Sequence, residues 1–168
     1  MIKDVIAGFV NTMTFEKEDC GDWDFKSLFM HLKAIFDIDM EDISGLNTKD
    51  ILKDELIDML TEHALKKYEA KENEFTPEKF REIERIVLLQ VVDDKWMDHI
   101  DAMDQLKQGI GLRSMAQEDP ARAYAIEGFD MFEAMNEAIK EDTLRILFHV
   151  EDPSKVKRRE QNKNIKEG

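Results

Sequence analysis

The sequence predicts an all-α protein: a long antiparallel helical hairpin with a small helical module. Three observations carry that expectation. Apolar residues recur at steps of three and four over two long stretches, which is the helical period. Only seven Gly and three Pro punctuate 168 residues, too few for the turns that many short strands require. A hydrophobic fraction of 42% beside a charged fraction of 37% suits a soluble, helix-rich chain better than a membrane-spanning or disordered one.

Residues 1–15 carry Val5, Ile6, Phe9 and Val10 at helical spacing and read as the last turns of a helix that began earlier. Residues 16–24 are polar and acidic with Gly21, so they read as a loop, and Asp24 is placed to cap the helix that follows. Phe25, Leu28, Phe29, Leu32 and Phe36 form that helix's apolar stripe. After an acidic connection with Gly45, Thr48 is the expected cap of a helix over 49–73, whose buried side is Ile51, Leu52, Leu56, Met59, Leu60 and Leu65. Residues 16–75 therefore form a small all-α module. Thr76-Pro77-Glu78 is a strong helix start, because proline is tolerated at the first helical position.

Over 78–112, Leu89, Val92, Trp96, Ile100, Met103, Leu106 and Ile110 share one predicted face. Over 121–150, Tyr124, Phe132, Met135, Ile139, Ile146 and Val150 do much the same. The short connection, 113–120, forces the two helices antiparallel and their stripes together. At ~1.5 Å per residue each arm reaches on the order of 45 Å, a length that suggests a lever presenting a tip. Met97, Met103, Met131 and Met135 are expected in the core; Met115 falls in the connection. Residues 151–168 lose periodicity, and from Lys155 they hold six Lys or Arg against two Glu, which predicts a flexible basic tail.

Charge and composition exclude several classes. A net charge of −14 argues against a general nucleic-acid binder, which needs excess Lys and Arg for phosphates. The single Cys20 excludes an internal disulfide and a multi-thiolate zinc site. No apolar run approaches the ~18–20 residues of a membrane span, so a soluble, cytosolic chain is the default expectation. No G-x-x-x-x-G-K-[ST] loop, Ser/His/Asp pattern or Gly-rich cradle is present, and catalysis is not expected of this stretch.

Asp93, Asp94, Asp98, His99, Asp101 and Asp104 invite a metal-site reading, since Asp94 and Asp98 lie four apart. Continuous helix offers no loop to wrap oxygens around a cation, and no Glu-x-x-His pair supports a di-iron bundle. A solvated face, or ion pairs to a neighbouring domain, is the better reading, and no metal is expected. A free-standing helical adaptor is the alternative from another class.

From Ile83 to Val150 the chain resembles the carboxyl-proximal helical region of the SecA preprotein translocase motors. The matching words are Asp94-Lys95-Trp96 with His99, Ala102-Met103-Asp104, Gln108-Gly109-Ile110, Leu112-Arg113, Ala116-Gln117, Asp119-Pro120 and Phe129-Asp130-Met131-Phe132. The resemblance implies that 1–15 ends a long scaffold helix, 16–75 is a helical wing, 76–150 is the scaffold's two-helix finger, and 151–168 is a linker. It implies finger-tip contact with the SecYEG channel and an unfolded preprotein through Arg113, Ser114, Met115, Ala116 and Gln117. The family commonly places Tyr at the position of Met115, so ring-specific contacts do not carry over. The resemblance also implies that Asp94, Trp96, Asp98 and His99 face the parent's own nucleotide-binding domains, where ATP and Mg would bind. The implied location is cytoplasmic, peripheral at the inner face of the plasma membrane. The family's metal-binding Cys/His tail has no counterpart here.

Overall fold

The computed structural model describes residues 1–14, 20–43, 45–113 and 119–152. It is all-α, with no strand among the described residues: α1 Ile2–Met13, α2 Phe25–Phe36, α3 Lys53–Phe75, α4 Pro77–Arg113 and α5 Pro120–His149. The chain divides into two units, Met1–Glu84 with residues from Leu144 onward, and Arg85–Thr143.

The first unit is organised by its caps and its core. The Asp24 carboxylate accepts the Ser27 N–H at 3.0 Å and so supplies the N-cap expected for α2. That helix ends at Asp37, whose φ of 55° and ψ of 39° place it in the left-handed region that Asp tolerates. The Asp37 N–H then bonds Lys33 O at 3.1 Å, the single bond of an αL ending, and the Ile38 N–H reaches Leu32 O at 3.5 Å. The reversal delivers Ile38 into the core, where it is fully buried. Lys33 closes the corner by pairing with Asp37 and Asp39, each at 2.6 Å.

Helix α3 starts four residues later than expected. Thr48 is not its cap; Leu52 is, with no side-chain bond to the first turn. Asn47 explains the delay. Its side-chain oxygen accepts the Lys49 N–H at 3.2 Å and its backbone oxygen accepts the Asp50 N–H at 3.2 Å. Those bonds hold 47–50 in a turn of its own, and the helix begins only after it. Ile51 is buried as expected, whereas Leu52 and Leu65 are exposed.

One continuous core results. Val5, Ile6 and Val10 of α1 pack with Leu28, Leu32 and Phe36 of α2, Leu56 and Leu60 of α3, and Leu144 and Phe148 from the end of α5. The Phe36 and Phe148 rings meet edge to face with centroids 5.1 Å apart, and Tyr68 meets Phe80 at 5.3 Å.

The second unit is a helical hairpin built from the 85–113 part of α4 and the 120–143 part of α5. His99 contacts Phe132 and Met103 reaches Gly128, so contacts rise along one arm as they fall along the other, which is the antiparallel pairing expected. The inward residues match the expected stripes in part: Leu106, Ile110 and Met135 belong to them and Val91 does not. Val91, Leu106 and Ile110 are buried on α4 and Met135 on α5. Leu89, Trp96, Ile100, Phe132 and, against the core expectation, Met97 are exposed. Ile146, in the first unit, is likewise exposed while its neighbours Leu144, Leu147 and Phe148 are buried. The reason is that α4 is apolar on more than one face. Spacing identifies each stripe, but contact with the second arm selects the inward one.

Candidate functional site

The surface of the hairpin unit, rather than a cavity within it, is where its chemistry lies. On α4, Ile86, Leu89, Met97 and Ile100 are exposed, and Trp96 keeps 48% of its surface open to solvent. On α5, Ile126, Phe129 and Phe132 are exposed. So many large apolar side chains on so short a hairpin exceed the scatter normal for a finished surface.

His99 joins the two arms of this surface. Half-buried, it lies 5.8 Å from the Trp96 ring and 6.0 Å from the Phe132 ring, centroid to centroid. The imidazole is thus part of an aromatic cluster across the hairpin. Asp94 and Asp98 are exposed beside it in sequence and lie on solvated parts of the helix. Of the four residues expected at an interdomain contact, Trp96 and His99 are brought together in the aromatic cluster. Among the described residues no group of three or more His, Cys, Asp or Glu side chains gathers where it could hold a metal ion.

One ion pair was not foreseen from the sequence. Lys95 Nζ lies 2.6 Å from Asp142 Oδ2, with the two side chains 30% and 24% exposed. The signal available was Lys95 standing between Val91 and Leu106 on the inward side, where its stem lies along apolar surface and its ammonium turns to water or to an anion. The second unforeseen contact is at Gly128. A Cβ built there would lie 2.9 Å from Met103 Cε, so the missing side chain leaves room for Met103 between the arms.

The expected tip is only partly within view. Helix α4 runs through Arg113, while the Arg113 side chain and the expected contact residues Ser114, Met115, Ala116 and Gln117 lie outside the described residues. The second arm is well started. The Asp119 carboxylate accepts the Ala121 N–H at 3.0 Å and the Arg122 N–H at 3.5 Å, satisfying two of the first turn's open donors ahead of the proline-led helix. Just inside that start, Asp119, Arg122, Ala123, Ile126 and Glu127 line an open concavity that sets apolar surface among charges of both signs. Such a surface can bind protein segments by apolar contact and charge pairing. Among the described residues no helix is long and apolar enough to cross a membrane.

Comparison with known proteins bears on the same residues. A family model described as the SecA wing and scaffold domain matches residues 1–151. The protein translocase subunit SecA of Finegoldia magna is 46% identical over 160 residues, covering 95% of this chain and 17% of its own length. The SecA of Clostridium botulinum strain Alaska E43 is 50% identical over 152 residues, covering 89% of this chain and 18% of that protein. The SecA of Clostridium novyi is 40% identical over 175 residues, covering 100% of this chain and 20% of that protein. The chain thus spans about a fifth of the length of these curated relatives.

Proposed function

This chain belongs to the SecA wing and scaffold family, and from that membership we propose that it is the binding and force-relaying part of an ATP-driven protein-export motor. In this reading the parent couples ATP hydrolysis to the movement of unfolded preproteins through the SecYEG channel. The hairpin tip, Arg113, Ser114, Met115, Ala116 and Gln117, touches channel and substrate. Arg113 and Gln117 offer hydrogen bonds to backbone carbonyls, which every substrate possesses. Met115, flexible and polarisable, makes apolar contact that tolerates any passing side chain.

The observation that carries the reading is the apolar outer surface of the hairpin. A two-helix unit that leaves Trp96, Met97, Ile100 and Phe129 open to water is built to be covered by protein. Trp96 and His99, with Asp94 and Asp98 supplying charge, are proposed to meet the parent's nucleotide-binding domains, where ATP and Mg bind. Catalysis belongs to those domains, so this chain alone is not an ATPase. The parent works in the cytoplasm, peripherally at the inner face of the plasma membrane.

Site-specific photocrosslinking from position 115 of the full-length parent, during transit of a stalled preprotein, tests the tip. Crosslinks to preprotein and channel are expected. Crosslinks confined to the motor's own domains would recast the hairpin as an internal regulator. In the same parent, Arg113→Glu with Met115→Gly is expected to impair translocation while leaving basal ATPase largely intact.

A further inference from the structure

Both long helices have one end in the first unit: residues 77–84 of α4 and 144–149 of α5 belong to it. Each end is seated by a buried aromatic side chain, Phe80 on α4 and Phe148 on α5. Thr76, strained at φ 84°, turns the chain so sharply before α4 that Phe75 and Phe80 stack, with centroids 5.7 Å apart. Phe80 thus lies back against α3. Among the described residues, no ring of the α4 end meets a ring of the α5 end directly.

Tyr68 of α3 stands between them. Its ring lies 5.3 Å from Phe80 and 5.6 Å from Phe148, centroid to centroid. Its hydroxyl donates to the Glu84 carboxylate on α4. Burial, and then the Glu84 charge, push the phenol's pKa upward, so the hydroxyl stays protonated and a donor at neutral pH. A charge-assisted bond of this kind fixes the rotation of the ring as well as its place. Lys71 and Glu72, three and four residues on, share the Tyr68 face of α3. Lys71 Nζ donates to Val150 O at 3.0 Å, just past α5, and Glu72 lies 3.8 Å from Arg81 of α4. One face of α3 therefore grips both ends. Of these three residues, Tyr68 is the one that touches both.

We propose that Tyr68 is a positioning residue that couples the α4 and α5 ends: the Glu84 bond sets its ring, and the ring sets Phe148. A change on α4 is thereby felt on α5 without direct contact between their rings. The coupling is a property of the first unit and stands apart from the export reading, under which it is one link of the relay.

Native-state hydrogen exchange at the Phe148 amide of α5 reads this coupling. The Phe80 amide, bonded to Thr76 O at 3.0 Å, reports on the first turn of α4, and the Leu60 amide controls for global unfolding. Exchange is measured on the 168-residue chain and on E84A, Y68F and E84A/Y68F. E84A removes the acceptor on α4 and leaves every ring; Y68F removes the hydroxyl alone. Each is expected to speed Phe148 exchange about fivefold relative to Leu60. The double variant should do no more than either single one, because both break the same bond. E84Q, whose side-chain oxygen still accepts the hydroxyl, should give about twofold, and it replaces E84A should that variant fail to fold. Faster exchange at Phe80 with Phe148 unchanged would reduce the bond to a local tether of α4 and overturn the coupling. Single effects that multiply to about twenty-fivefold in the double variant would overturn it too, as would unchanged exchange at both amides.

Discussion

The two units of this chain bury their apolar residues to different depths. In the first, Phe36, Phe80, Ile6, Leu32, Leu56 and Leu60 are wholly withdrawn from water. In the second, the most buried apolar side chains among the described residues, Ile110, Val91, Leu106 and Met135, retain 5% to 9% of their surface, and Trp96, Met97 and Phe129 stand in solvent. Several helices from distant parts of the chain enclose the first core; two helices alone have only one face each to offer the other. The first unit has the makings of an independent fold. The second is a surface of apolar side chains on a scaffold, and its stability and its role both depend on what covers it.

Truncation in the first core breaks the comparison most sharply. Leu60→Ala empties a fully buried site and is expected to cost about 3 kcal/mol in urea unfolding. A cost below about 1 kcal/mol would mean that this core is no better packed than the hairpin.

The ion pair between the arms sets the next scale. Lys95→Met takes the ammonium from Asp142 at a partly exposed position, and a loss of about 1 kcal/mol is expected. A double-mutant cycle with Asp142→Asn isolates the pair. Zero coupling would assign cross-arm support to apolar and aromatic contact, with Met103 beside Gly128 and His99 beside Phe132.

Acid titration distinguishes the units by charge. In the first, hydrogen bonding to Lys33 holds the Asp37 carboxyl below its usual value of 3.8, and the Asp39 backbone N–H does the same for Asp42. Folded values lowered in this way contribute stability that is present above pH ~4 and is lost as pH falls through them. Both groups are solvent-accessible, so the loss is shallow. Urea midpoints followed from pH 6 to pH 2 should decline at the low end, and Asp37→Asn, which keeps the left-handed cap, should reduce the decline. An identical profile in that variant would remove Asp37 from the account.

The smallest effect is the most informative for the hairpin. Trp96→Ala in the isolated chain is expected to change stability by no more than about 0.5 kcal/mol, because nearly half of the indole is already in water. In the full-length parent the same change should weaken coupling between nucleotide state and translocation. A loss of several kcal/mol in the isolated chain would return Trp96 to the core, where its spacing alone had suggested it could lie.

Local signals in the sequence were read correctly where the physics is local. Asp24 before an apolar stripe and Asp119 before Pro120 each announce a helix start, because a capping carboxylate needs only the next two or three N–H groups. Thr48 misled because Asn47, one residue earlier, captured the same backbone for a turn. The expected tip residues Ser114 to Gln117 fall outside the described residues, so their reading rests on family membership and awaits the crosslinking experiment.

The all-α class, the existence of five helices' worth of periodic pattern, the hairpin connection and the family were determined by the sequence itself, because helical period, caps and scarce punctuation act over a few residues. Which face of α4 turns inward was decided only by tertiary structure. Leu89, Trp96 and Ile100 share the helical period of Leu106 and Ile110, yet they are exposed while those two, and Val91 outside that stripe, are buried; contact with the second arm draws the distinction. The same holds for Thr76. Its strained φ follows from burying Phe75 and Phe80 together, a demand made by the folded core and by nothing within the residue itself.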